Sequence, residues 1–324
     1  MKNEMNKNYL SWDETFLALC KLVSLRSKDK YHKTGSCIVD SKNRIMGLGY
    51  NGLPLGCDDN VFPKDNSENV YNDKDTYMIP SIVNAILLSR RNLEGCALYT
   101  TTFPSTDETK MIVQNGISKV YYINDIDHES DDFIASLRML DASKVIYKKL
   151  NDLEVNCSDK SLITWDEAFI GLSKIVAMRS KDPNTQVGAC IVDEKHRIIS
   201  LGYNGLPFGC DDKCFPWGRD SENVVDTKYP YVVHAEVNAI SIAQTTSPRD
   251  LSNSTIYLSL FPCNNCAAKI IQAGISEVLY VLDKYADTDA YRASKRMLDE
   301  AGVVYRRIDD VDITVKGYNK TIKR

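Results

Sequence analysis

The chain has no run of about 18 apolar residues, so no segment of it reads as a membrane-spanning helix. Its first residues, Met-Lys-Asn-Glu-Met-Asn-Lys-Asn, lack the apolar core of a secretory leader, and a cytoplasmic, intracellular protein is expected. A basic excess is also missing. The net charge is −4 and the pI about 5.7, which argues against stable nucleic-acid binding, since binders of that kind carry a basic face. Histidine is scarce, with four in 324 residues, so few metal sites can use imidazole. The ten cysteines, without a leader, read as free thiols and a metal site rather than disulfides.

What is present is an ordinary globular composition, 43% hydrophobic and 26% charged, at a length that suggests two domains. Those domains are one domain written twice. Ser11–Asp59 aligns without gaps to Thr164–Asp212, with identity at 30 of 49 positions. The copies meet again at Ser67-Glu68-Asn69 and Ser221-Glu222-Asn223, and at Val83-Asn84-Ala85-Ile86 and Val237-Asn238-Ala239-Ile240. A period of about 153 residues is too long for a solenoid and indicates duplication of a whole domain. The expected division is a first copy over 1–150, a polar linker over 151–163, a second copy over 164–310, and a polar, fraying tail over 311–324.

Periodicity places helices and strands in alternation along the second copy. Helices are expected at Trp165–Met178, Tyr231–Ala243, Cys263–Gln272 and Arg292–Ala301. Strands are expected at Val187–Val192, Arg197–Leu201, Ile256–Leu260, Glu277–Leu282 and Val303–Ile308. That order points to a three-layer α/β/α domain.

Two of those helices carry a constellation of four residues. His234-Ala235-Glu236 opens one, and Pro262-Cys263-Asn-Asn-Cys266 opens the other, which puts the motif where two helix N-termini meet near the sheet edge. One imidazole and two thiolates suit tetrahedral zinc with a fourth position left for water. Zinc brings the pKa of such a water toward neutrality. Glu236, two residues past the histidine, then has the role of proton shuttle rather than ligand. His-x-Glu with Pro-Cys-x-x-Cys is the pattern of zinc nucleobase deaminases. One zinc per chain is expected, because the first copy has Pro80, Ser81 and Ile82 in place of the histidine segment. It also has Ser105 and Glu108 in place of the two cysteines. Cys190, Cys210 and Cys214 read as packing or loop thiols without an accompanying ligand set.

With these residues in view, the second copy resembles the deoxycytidylate (dCMP) deaminases, from Trp165 to about Arg307. The blocks that carry the resemblance are Arg179-Ser-Lys-Asp-Pro-Asn-Thr-Gln-Val-Gly-Ala189, Gly202-Tyr-Asn-Gly-Leu-Pro-Phe-Gly-Cys-Asp-Asp212 and Asp283-Lys-Tyr285. The resemblance implies a cytidine-deaminase-like fold and hydrolysis of dCMP to dUMP and ammonia. It implies activation by dCTP, inhibition by dTTP, and Mg2+ accompanying the triphosphate. It further implies a homo-oligomer, here of intramolecular pseudo-dimers. By the same resemblance, Asn204 and Ala235 line the sugar and ring, Arg179, Ser180 and Lys181 take the 5′-phosphate, and Tyr285 walls the pocket. Asn204 also reads as a turn residue before Gly205, and residues 179–181 as a solvated loop. The first copy keeps Gly49-Tyr50-Asn51-Gly52-Leu53-Pro54, and Asn51 and Gly52 are effector-binding candidates of a regulatory half. A dCDP or dCTP deaminase, a polynucleotide deaminase and a non-enzymatic nucleotide sensor are the competing readings.

Overall fold

The computed structural model of the chain describes residues 4–125, 128–246, 250–317 and 320–323. The first copy contributes α1 (Trp12–Ser24), β1 (Gly35–Val39), β2 (Ile45–Tyr50), α2 (Ser81–Ser89), β3 (Ala97–Thr102), α3 (Thr106–Gln114), β4 (Lys119–Asn124), α4 (Asp131–Ala142), β5 (Ile146–Lys149) and β6 (Glu154–Cys157). The second contributes α5 (Trp165–Ala177), β7 (Gly188–Val192), β8 (Ile198–Tyr203), α6 (Ala235–Thr246), β9 (Thr255–Leu260), α7 (Asn264–Gln272), β10 (Glu277–Leu282), α8 (Asp289–Glu300), β11 (Val304–Arg307), β12 (Ile313–Lys316) and β13 (Thr321–Lys323). Among the described residues no helix is long and apolar enough to cross a membrane.

Each copy builds a five-stranded sheet of the same order, β2-β1-β3-β4-β5 and β8-β7-β9-β10-β11. The first two strands of each copy form an antiparallel hairpin, and the last three run parallel to one another. Strand alternation sends successive side chains to opposite faces. On β9, Ile256 and Leu258 join the core formed with α6, α7 and α8, whereas the Tyr257 hydroxyl reaches Asp166 on α5 at 2.8 Å. Helices therefore cover both faces, and the fold is the three-layer α/β/α sandwich read from the alternation. Central β7 is buried along its whole length, as its unbroken apolar run requires.

Glycine decides how close the site-bearing helix comes. A Cβ on Gly202 of β8 would sit 2.4 Å from the Ala235 carbonyl oxygen. Only the missing side chain lets the first turn of α6 lie flat on the strand. Gly49 does the same for α2, where a Cβ would lie 2.4 Å from the Ala85 nitrogen.

The structure redraws the domain boundaries. One compact unit is Trp12–Thr164, and the other is Met1–Ser11 with Trp165–Arg324. Residues 151–163 are not a free linker: Leu153, Cys157 and Ile163 are buried, and the Ile163 N–H donates to the Leu25 carbonyl at 3.3 Å. The leader belongs with the second copy, through the Asn6 N–H to Lys181 O bond (2.8 Å) and the Leu10 N–H to Met178 O bond (3.1 Å). Nor do the described residues of the tail fray. Val311, Ile313 and Val315 are buried at alternate positions, β12 pairs with β13, and Lys174 donates to the Val311 carbonyl at 2.7 Å. That alternation is a strand signal which a reading for polarity passes over.

Candidate metal centre and active site

Strands β8, β9 and β10 end on the same side of the sheet, and the candidate site lies there, at the carboxyl end of central β9 rather than at a lateral edge. Helix α6 starts later than its periodicity predicts, at Ala235. Val233 is held extended by a two-bond bridge to Gly205 (2.8 and 3.1 Å), so the helix cannot begin before it. His234 is the residue of entry, and its carbonyl accepts the helical bond from Asn238 at 3.0 Å. Cys263 occupies the matching place as N-cap of α7, which begins at Asn264, and Cys266 faces inward one turn on.

His234 Nδ1 is 3.3 Å from Cys266 Sγ and 3.6 Å from Cys263 Sγ, and the three ligand atoms lie within 4.8 Å of one another. A tetrahedral centre with bonds of about 2.1 Å to nitrogen and about 2.3 Å to sulfur separates N from S by about 3.6 Å. The donor set and its spacing fit zinc. Among the described residues this is the one cluster of His, Cys and acidic groups that could hold a metal ion. Cys266 is buried, Cys263 half-buried and His234 exposed, so the centre opens on the imidazole side.

The electrostatics match that use. The Cys266 thiol hydrogen-bonds Cys263, and with His234 alongside it lowers the Cys263 thiol to about 4, while Cys266 itself is pushed well up. One thiolate thus stands ready and the second needs a metal to displace its proton. His234 is raised, first by its bond to Cys263. Glu236 is buried at 4% exposure, and burial raises its carboxyl against the pull of His234. A carboxyl raised in this way is suited to moving protons near neutral pH.

Comparison with known proteins agrees with the geometry. The family model described as the cytidine and deoxycytidylate deaminase zinc-binding region matches residues 10–124 and again 163–282. The chain belongs to this family. It is 48% identical to the deoxycytidylate deaminase of Homo sapiens over 155 residues, 48% of this chain and 85% of that one. It is 53% identical to the probable deoxycytidylate deaminase of Drosophila melanogaster over 153 residues, 46% of this chain and 74% of that one. A crystal structure of the dCMP deaminase of cyanophage S-TIM5 in complex with dCMP and dUMP covers 44% of this chain and 95% of its own, at 24% identity and TM-score 0.36.

Both copies match the deaminase family, yet they hold different chemistry at the shared place. In the first copy Pro80 caps α2, Ser81 and Ile82 follow, and Ser105 caps α3. Glu108 closes a capping box, accepting from the Ser105 N–H at 3.0 Å and its hydroxyl at 3.1 Å. It is buried, and burial raises its pKa.

The candidate substrate residues fall in two groups. Ala235 is buried in the first turn of α6, and Tyr285 is exposed in the loop after β10, on the same side of the sheet as the cysteines. The position paired with Tyr285, Asp127, lies outside the described residues. The second group is committed elsewhere. Asn204 is buried and turned inward, accepting from Val187 N–H at 2.8 Å and donating to the Thr185 carbonyl at 2.9 Å. Arg179 is buried against the Leu10 carbonyl and the Tyr9 ring, and Ser180 donates to the Asn204 carbonyl at 2.8 Å. Lys181 pairs with Asp212 and also lies over Tyr9. Residues 179–181 therefore hold the leader and the neighbouring loops instead of forming a solvated loop. In the first copy Asn51 repeats the inward use of its amide, to Thr34 N–H at 2.8 Å and His32 O at 2.7 Å, and Gly52 bridges Ile79.

Sequence reasoning passed over a buried ion pair in each copy, Lys74–Asp29 and Lys228–Asp182. Asp182 also accepts from the backbone of Asn184 and Thr185, at 2.9 and 3.1 Å. The presence of the same Lys and Asp in both copies was the available signal.

Proposed function

We propose that the second copy hydrolyses dCMP to dUMP and ammonia. The observation that carries this is the convergence of His234, Cys263 and Cys266 beside buried Glu236 at the end of β9. His234, Cys263 and Cys266 would hold the zinc. When bound, zinc supplies the Lewis acidity that makes a water nucleophilic near neutral pH. Glu236 takes a proton from the attacking water and gives it to the cytosine ring nitrogen, which keeps it in the product, and then moves the remaining proton of the added hydroxyl to the amine, which leaves as ammonia. Ala235, through its backbone, and Tyr285 remain candidates for contact with the substrate.

The first copy is proposed as a regulatory or structural half without zinc. Support comes from its retained fold and buried ion pair, set against Ser105 and Glu108 at the cysteine positions. The dCTP and dTTP effects, Mg2+ with the effector, and assembly of pseudo-dimers into oligomers belong to the same proposal. Asn51 and Gly52 remain its effector candidates, through their backbone groups in particular.

A deamination panel tests the reading. Cytidine, deoxycytidine, dCMP, dCDP, dCTP, single-stranded DNA and RNA are each assayed for ammonia release, with and without added dCTP or dTTP. Turnover of dCMP above the others is expected. Preference for dCDP or dCTP would move the substrate, and activity on polynucleotide alone would overturn the proposal.

A further inference from the structure

We propose that Arg219 is the specificity residue through which the second copy recognises the phosphate of its nucleotide; this rests on the deaminase reading above. The motivation is a one-residue difference between the copies. Lys74 N–H bonds to Asp65 O (3.1 Å) and Lys228 N–H to Gly218 O (2.9 Å), which makes Asp65 and Gly218 structural counterparts. Between them and the matching serines, Ser67 and Ser221, the first copy has only Asn66, whereas the second has Arg219 and Asp220. The second copy thus has one more residue here, and a cation with it. In the first copy the neighbouring side chain is acidic: Asp65 accepts from Tyr31 at 3.0 Å and Lys30 at 3.3 Å.

Arg219 stands apart from the other cations around it. Arg179 is spent on Leu10, Lys181 on Asp212 and Lys228 on Asp182. Arg219 has one hydrogen bond among the described residues, from Nη2 to Thr185 Oγ1 at 2.6 Å, and no carboxylate partner. Its Nε is buried without an acceptor. A guanidinium held by a neutral hydroxyl, with a buried N–H left over, lacks an anion. The free part of its fork suits a phosphate monoester, which accepts two parallel N–H bonds.

Its place is suitable as well. The Thr185 carbonyl takes the Asn204 amide, Asn204 N–H bonds to Val187 O at 3.2 Å, and Gly205 bridges Val233, the residue before His234. Where that loop enters β7, Gly188 N–H reaches Ser259 on β9, the strand that leads to Cys263. The guanidinium is therefore fixed to a shelf that adjoins the metal centre through backbone contacts. A nucleotide whose base lies at Glu236 needs its phosphate recognised at such a remove.

The experiment compares kcat/KM for dCMP and for deoxycytidine in the full zinc-loaded chain, its R219A and R219Q variants, and R219K. The ratio of dCMP to deoxycytidine should fall on the order of 10- to 100-fold in R219A and R219Q, chiefly through KM, with zinc content retained. R219K should recover part of it, since a point charge replaces a fork. Inorganic phosphate should compete with dCMP in the parent and not in R219Q. If R219A does not fold, R219Q decides, because it can keep the bond to Thr185 without the charge. An R219Q that preserves the parent's ratio overturns the proposal, and so does a parent with no preference for dCMP over deoxycytidine. A parent that deaminates no cytosine nucleotide fails the deaminase reading itself, which is a distinguishable result.

Discussion

In the second copy two helix N-termini converge on an imidazole and two sulfurs; in the first the same two ends converge on one carboxylate. Glu108 stands where Cys266 stands, Ser105 where Cys263 stands, and Ile82 where Glu236 stands. A fold that brings two helix starts together leaves unpaired N–H groups facing a small buried volume. Either a metal cluster or a capping box can fill it. Around this exchange the rest is kept: the sheet order, the close helix–strand contact at Gly49 and Gly202, and the buried Lys–Asp pair. The polar and apolar linings follow suit. Ser36, Ser81 and Thr100 form a hydroxyl chain in the first copy, where the second has Ala189, Ala235 and Leu258. The comparison teaches that the architecture does not depend on the chemistry it hosts.

The hardest test of that comparison is the metal. Cys263→Ser should remove zinc and turnover together, while Ser105→Ala should leave both in place; metal analysis should read one zinc per parent chain. Two zincs, or zinc lost from the Ser105 variant, would break the contrast. Next in size is proton transfer. Glu236→Ala should keep zinc and lose about 10²–10⁴-fold in kcat, whereas Ile82→Ala at the matching position should not remove turnover. A Glu236 variant with more than about a tenth of parental kcat would assign the proton to another group.

Lys74→Met and Lys228→Met probe what the copies share. Each strands a buried aspartate, at a cost of about 3–5 kcal/mol. Denaturant titration should show both losses. Only Lys228→Met should also lower kcat/KM, because Asp182 and Lys228 hold the loops that precede His234. Equal effects on activity would mean that the first copy's packing supports catalysis as directly as the second's.

The smallest effect is a pH dependence. Burial holds Glu108 above its ordinary value of 4.5. A carboxyl raised on folding favours the folded state while it is protonated, and that contribution is lost as pH rises through the folded pKa. Glu108→Gln, which cannot ionise, should therefore gain stability relative to the parent as pH goes from about 4 to 7. A difference that is flat in pH would show that Glu108 keeps its ordinary pKa in the fold.

Much of this was legible in one dimension. Glu277–Leu282 is a strand with the bounds its apolar run suggests, and the other elements expected in the second copy begin or end within a few residues of expectation. The clustering of His234, Cys263 and Cys266 was legible because each residue type answers a chemical need at fixed spacing. Helix α6 began late for a non-local reason: Val233 is claimed by Gly205, 28 positions earlier. The tail was misjudged because its charges outnumber its buried residues, Val311, Ile313, Val315 and Ile322, which count only once a partner strand exists.

The sequence by itself determined the duplication, the α/β order, and which copy carries the His-Cys-Cys cluster and Glu236. Those properties live in residue identity and short-range periodicity, which no partner can change. Tertiary structure decided where each cation is spent. Arg179, Ser180 and Lys181 look like a phosphate site in line, yet Leu10, Tyr9, Asn204 and Asp212 claim them, while Arg219 is left on the Thr185 loop without a counter-charge. A polar side chain takes whichever partner the fold brings within reach, and that partner stood here 24 to 172 positions away.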